Sequence, residues 1–202
     1  LHKKKNYKES EINLQLANEL KLNLKGSNCD LLINKSKLLL LESKEKEIDR
    51  IDNMKYPKSI FIVGMPRSGS TLVESILSMN SNVNDLGETN LLEESFKEWK
   101  TIDRKLTLAK LYLKKINKTQ KEFKITTNKC LYNYQYAGII SLHIPNVKII
   151  HCHRNPLDNI LSIYRTHFAQ GNEYSSSLID CTKVYLDQEE IMTKYKNRFP
   201  NI

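Results

Sequence analysis

The sequence has no run of about 18 apolar residues, so it offers no membrane-spanning helix. Its first ten residues, LHKKKNYKES, hold no apolar stretch and do not read as a secretory signal. The chain also lacks an initiator Met and stops at Phe199-Pro200-Asn201-Ile202, so a piece of a longer protein is expected. Cysteine is sparse. Cys29, Cys130, Cys152 and Cys181 include no CxxC pair, which excludes a zinc ribbon or a dithiol redox motif and fits a reduced, cytoplasmic protein. Cys152 lies in an apolar strand pattern and Cys181 on a helical stripe, so both read as small core residues. His151 and His153 alternate along a strand, but no further ligands complete a metal set, and no metal is expected. No internal repeat of 30 to 40 residues is evident.

What is present is a basic chain of 202 residues with a net charge of +9. That length supports one domain with a small appendage. The lysines are spread along the chain beside Glu and Asn, not gathered into an aromatic-interleaved patch. Solvated faces and a basic cleft for an anionic small ligand are therefore expected, with neither nucleic acid nor membrane as partner.

The most informative stretch runs from Pro57 to Ser78. Ser59 to Val63 is apolar and β-branched, as a buried strand is. Gly64 to Gly69 is a turn with Pro66 inside, and Leu72, Val73, Ile76 and Leu77 then recur as one apolar stripe of a helix. Strand, glycine loop and helix together offer backbone N–H groups and a helix N-terminus to a phosphate. A Walker A loop would follow its second glycine with Lys and then Ser or Thr. Here Thr71 fits, but Ser70 stands in the lysine's place, which argues against ordinary ATP or GTP hydrolysis. The positive charge sits inside the loop as Arg67, whose planar fork suits a pair of oxyanion oxygens.

Around this motif the pattern predicts helices over much of residues 1 to 56, with Ile12, Leu16, Leu20 and Leu24 four apart and a second helix over Leu31–Ile51. After it come a polar loop from Asn80 to Asp85 and helices over Leu91–Trp99 and Arg104–Ile116. A strand over Phe123–Thr127 and a helix over Tyr132–His143 follow. The next strand, Val147–Cys152, leads into a helix after Pro156 with Leu157, Ile160, Leu161, Tyr164 and Phe168 on one stripe. A last helix spans Ser175–Tyr195, with Leu178, Cys181, Tyr185 and Met192 inward. Alternating strands and helices imply an α/β fold, a P-loop-like parallel sheet flanked by helices. The domain would occupy 57–202, behind an N-terminal helical segment at 1–56. Ligands of such sheets bind at the carboxyl ends of the strands, so Arg67, Lys129 and Arg154, each just after a strand, are expected at one cleft.

Two of these motifs carry a family resemblance. PRSGST at Pro66–Thr71, followed some eighty residues later by IIHCHRNPLDNILSIY at Ile149–Tyr164, resembles the sulfotransferases, most nearly the bacterial enzymes with tetratricopeptide repeats and the tyrosylprotein sulfotransferases. The resemblance covers about residues 58–199. It implies transfer of a sulfuryl group from 3′-phosphoadenosine 5′-phosphosulfate to a hydroxyl acceptor on a protein, sugar or small molecule. Arg67, Ser68, Gly69, Ser70 and Thr71 correspond to the 5′-phosphosulfate loop, and Arg154 and Ser162 to the 3′-phosphate motif. Lys129, in an Asn-Lys pair after a strand, corresponds to the catalytic lysine, and Glu88, in Gly87-Glu88, to the catalytic carboxylate; Arg67 is expected to act with them in catalysis as well as in holding the donor. Ser70 replaces a usual Thr, Asn155 a usual Asp, and Thr166 stands at the place of a further Arg, beside Arg165. The family's C-terminal part lies beyond Ile202, and the first helices resemble the tail of a tetratricopeptide array. Sulfuryl transfer needs no metal where Lys and Arg neutralise the charge. Two other readings remain at this level: a P-loop kinase, disfavoured by the missing lysine, and a non-catalytic helical-repeat module, disfavoured by the presence of Glu88 and Lys129.

Overall fold

Phe61, Ile62 and Val63 have no solvent exposure, because the strand that carries them has neighbours on both sides and helices over both faces. The computed structural model describes residues 5–44, 56–101, 106–117, 124–168 and 170–202. Strand β1 (Lys58–Gly64) pairs in parallel with β3 (Ile125–Asn128) and with β4 (Val147–Cys152), and β2 (Val83–Asp85) adds to the far side of β3. The order is β2-β3-β1-β4, all parallel. The chain leaves β1 toward β2, returns through β3 and crosses to β4. The connections after β1 and β3 thus run in opposite directions across the sheet, both starting from the carboxyl edge, where such sheets hold ligands.

The helices are α1 (Tyr7–Leu24), α2 (Cys29–Glu42), α3 (Ser70–Ser78), α4 (Leu91–Thr101), α5 (Leu108–Asn117), α6 (Ala137–His143), α7 (Pro156–Tyr164) and α8 (Leu178–Arg198). Helix α2 packs into the domain. Leu39 joins the main core, and Gln135 Nε2 donates to Leu32 O at 2.9 Å and Ser36 Oγ at 3.1 Å. In α1, by contrast, Ile12, Leu16, Leu20 and Leu24 lie on an exposed face.

Three local expectations need correction. The Asn80–Asp85 segment was expected as loop, yet its last three residues form β2, a short polar edge strand whose sequence carries no apolar alternation. Tyr132–His143 is not one helix; a 3₁₀ turn over Leu131–Tyr136 precedes α6. Helix α3 is turned against its pattern: Leu72 and Ile76 are 67% and 57% exposed, while Ser70 and Glu74 are buried. Leu157, Leu161 and Leu178 are likewise exposed. The expected helical residues 45–51 and 104–105, and Phe123 at the start of a strand, lie outside the described residues. Cys29, Cys152 and Cys181 are buried free thiols, and Cys130 is a half-buried one.

Candidate active site

The loop between β1 and α3 is shaped by three residues at positive φ: Gly64 at +142°, Arg67 at +67° and Gly69 at +96°. Gly69 is the N-cap of α3 and its carbonyl accepts from Leu72 N and Val73 N, so the N–H groups of Ser70 and Thr71 have no intrahelical acceptor and are left for a ligand in the loop. The segment after β4 holds the loop from the side. Asn159 Nδ2 donates to Pro66 O at 2.9 Å, and Arg154 Nη1 donates to Arg67 O at 3.2 Å. Arg67, Ser68, Gly69, Ser70, Thr71 and Arg154 line an open cleft of about 410 Å³. Ser68 Oγ is buried with no hydrogen-bond partner among the described residues. Such an orphaned hydroxyl, beside two guanidinium groups and a helix N-terminus, fits an anion with several oxygens.

The Arg154 side of the cleft is built by capping. Asn155 Oδ1 accepts from Leu157 N at 3.0 Å and Asp158 N at 3.2 Å, and Pro156 opens α7 where its missing N–H costs nothing. Asn155 thus keeps the capping function of an Asp at that position. Tyr185 OH donates to Arg154 O at 3.0 Å, tying the segment to α8. Arg67 Nε donates to Ser162 Oγ at 3.3 Å, so the two sequence motifs meet directly. Thr166 Oγ1 donates back to Ser162 O at 2.7 Å, and Arg165 is exposed.

Lys129 closes the other end. Leu86 N donates to Thr127 O and Lys129 N to Gly87 O, each at 3.0 Å, which zips the strand ends of β2 and β3 and sets Glu88 beside Lys129. Asn128 anchors this turn: its Oδ1 accepts from Cys130 N at 3.0 Å and Asn133 Nδ2 at 3.1 Å, and its Nδ2 donates to Tyr112 OH at 3.2 Å. The Lys129 ammonium donates to Glu88 Oε1 at 2.9 Å and Thr71 Oγ1 at 3.2 Å, and lies 3.6 Å from Glu74 Oε2. Burial acts to lower its pKa, but Glu88 and Glu74 outweigh that and raise it, so the lysine is cationic. The Glu88 side chain is 67% exposed and can turn toward a bound molecule.

Arg67, Arg154 and Ser162 are therefore brought together, and Lys129 with Glu88 reaches the same loop through Thr71. Sequence reasoning missed Glu74 and Asn159. Glu74 carries a signal all the same: it is four residues after Ser70, which puts it on the loop-facing side of α3. Asn159 sits in the first turns of α7 without any pattern that marks it.

His151 and His153 stand 6.3 Å apart between ring centroids, with His153 Nδ1 3.3 Å from Glu189 Oε1. Among the described residues no group of three His, Cys, Asp or Glu is arranged to hold a metal. Burial lowers the His151 pKa to about 4, so the ring is neutral and structural. An unfolded His takes up its proton near pH 6.5. Stability is accordingly expected to fall as pH drops from about 6.5 to about 4, and not further on this account below that. Chemical unfolding at stepped pH tests this. The slope of stability against pH in that window should be shallower, by about one proton, in His151→Asn.

Comparison with known proteins identifies a family. A model of the Sulfotransferase family matches residues 57–107 and 93–202. An uncharacterized protein of Aquifex aeolicus (strain VF5) is 32% identical over 178 residues, covering 76% of this chain and 23% of that protein. The chain thus spans about a quarter of that relative's length. Among the described residues no helix is long and apolar enough to cross a membrane.

Proposed function

The chain belongs to the sulfotransferase family, and from that premise we propose that it carries the site for moving a sulfuryl group from 3′-phosphoadenosine 5′-phosphosulfate to a hydroxyl acceptor on a protein, a glycan or a small molecule. The observation that carries the reading is the Lys129 ammonium, held 3.2 Å from Thr71 of the anion loop and 2.9 Å from Glu88. A leaving-oxygen stabiliser, an anion cradle and a carboxylate base thereby occupy one corner.

The donor supplies an activated sulfonate on a phosphate leaving group. Ser68, Ser70, Thr71 and the N–H groups at the start of α3 hold its 5′ end, with Arg67 as a charged fork. Arg154 and Ser162 hold its 3′-phosphate. Glu88 removes the proton from the acceptor hydroxyl as that oxygen bonds to sulfur and the sulfur–oxygen bond to the phosphate breaks. Lys129 neutralises the charge that builds on the departing phosphate oxygen. We read residues 1–56 as the end of a helical-repeat segment, in support of which α1 and α2 follow each other across a four-residue link. The sequence likeness to the tetratricopeptide-repeat and tyrosylprotein enzymes favours a protein or glycan acceptor.

Calorimetry with adenosine 3′,5′-bisphosphate in chelator tests the site. Arg154→Ala and Arg67→Ala are each expected to weaken binding by about 10- to 100-fold, the loss of one or two charged hydrogen bonds. Unchanged affinity in both variants, or binding of ATP that needs magnesium and exceeds that of the bisphosphate, would overturn the reading.

A further inference from the structure

Glu74 is the carboxylate the scheme above leaves unused. It is 6% exposed, whereas Leu72 and Ile76, two residues to either side and so on the other face of α3, are exposed. A helix that buries an acid and exposes leucine gives up apolar burial, and here the acid has a partner to meet. Its Oε2 lies 3.6 Å from Lys129 Nζ, an ammonium that also meets the exposed Glu88 at 2.9 Å. Its Oε1 is buried and finds no donor among the described residues. The charged groups acting on it are Asp85, from the end of β2, and Lys129, from the end of β3, with Glu88 beyond Lys129. Asp85 is itself an acceptor, taking Gly87 N at 2.6 Å. A hydrogen bond between the Asp85 and Glu74 carboxyl groups forms only with a proton on one of them.

Building on the donor reading, we propose that Glu74 is the positioning residue for Lys129 and that it takes up a proton from solvent when the anionic donor or its bisphosphate product occupies the loop. Without ligand the ionised carboxylate balances the ammonium 3.6 Å away. A ligand that brings phosphate oxygens to the same ammonium supplies that balance instead, and a second buried anion then becomes unfavourable. The proton adds to Glu74, the hydrogen bond to Asp85 is completed, and the lysine's full charge is directed at the ligand. The resting state is poised for this step: burial, then Asp85, raise the Glu74 pKa to about 7, against the opposing pull of Lys129. Near neutral pH a modest further rise therefore moves a large fraction of a proton.

The test is titration calorimetry of the chain with adenosine 3′,5′-bisphosphate in buffers of different ionisation heat, which counts protons bound per ligand. At pH 7.5 the wild-type protein is expected to take up about half a proton more than Glu74→Gln, whose affinity stays within about tenfold. Comparison with the variant cancels protons exchanged by the ligand's own phosphates. Equal proton counts in two folded, binding proteins overturn the proposal. If Glu74→Gln does not fold, Asp85→Asn keeps the acceptor to Gly87 and removes the charge that presses on Glu74. The pH of half-maximal uptake should then move down, and an unmoved value overturns the proposal. A wild-type protein that gives no binding heat at all overturns the donor reading, and this proposal with it. That result is distinct from binding without proton uptake, which overturns this proposal alone.

Discussion

Lys129→Ala is expected to lower sulfuryl transfer by about 10³-fold or more, while bisphosphate affinity falls far less. The asymmetry follows from where the ammonium sits. Lys129 is 7% exposed, fixed between Thr71 Oγ1, Glu88 Oε1 and Glu74 Oε2, and away from the Arg67–Arg154–Ser162 contacts that hold the other end of the cleft. A charge fixed at one point in a nearly dry corner acts most on charge that appears there during reaction, and least on charge already spread over the ground-state ligand. Lys129→Arg should recover only part of the rate, because a planar guanidinium does not present its donors from one compact centre. Removal of Lys129 also strands Glu74, so the Ala variant is expected to unfold earlier at high pH, where that acid is ionised. Single-turnover transfer from labelled donor separates chemistry from binding. A variant that keeps a tenth of the wild-type rate would remove Lys129 from its assigned role.

Much of this was legible beforehand for a physical reason. A buried parallel strand, a glycine turn and a helix start are local patterns, and β1, the Gly64–Gly69 loop and α3 follow one another without interruption in the chain. Arg154 and Lys129 were placed at the same edge by the rule that parallel strands present their carboxyl ends together. The residues that escaped notice are those whose role depends on what lies across from them. Glu74 carries no mark of its role in the sequence, and the position of Lys129 explains why α3 buries it while Leu72 and Ile76 face outward. Asn159 is a buried amide whose partner, the Pro66 carbonyl, lies 93 residues away in sequence. β2 is three residues of polar edge strand, recognised by its pairing with β3 and by nothing in its own composition.

Gly64→Ala is expected to be the most damaging single methyl in the loop. Gly64 has φ of +142°, a conformation that carries strain of about 1–3 kcal/mol for any residue with a side chain. An added Cβ would also lie 2.5 Å from the backbone oxygen of Cys152, its pairing partner on β4. A backbone oxygen within a strand pair cannot swing aside as a side chain can, so β1 and β4 must separate at their carboxyl ends, adding about 1–3 kcal/mol. Together these amount to a loss of about 2–6 kcal/mol and a fall in Tm of roughly 5–20 °C for a domain of this size. Bisphosphate binding should disappear as well, because the Arg67 carbonyl that receives Arg154 and the Pro66 carbonyl that receives Asn159 both follow this residue. Gly69→Ala supplies the control. Gly69 also has positive φ, at +96°, but an added Cβ there meets nothing within 4 Å. It should cost only the conformational part, about 1–3 kcal/mol, and leave β1 and β4 paired. Thermal unfolding of the two variants side by side therefore isolates the contact with Cys152 from the backbone strain. Equal losses in both would mean that the close approach of β1 and β4 does not shape the loop.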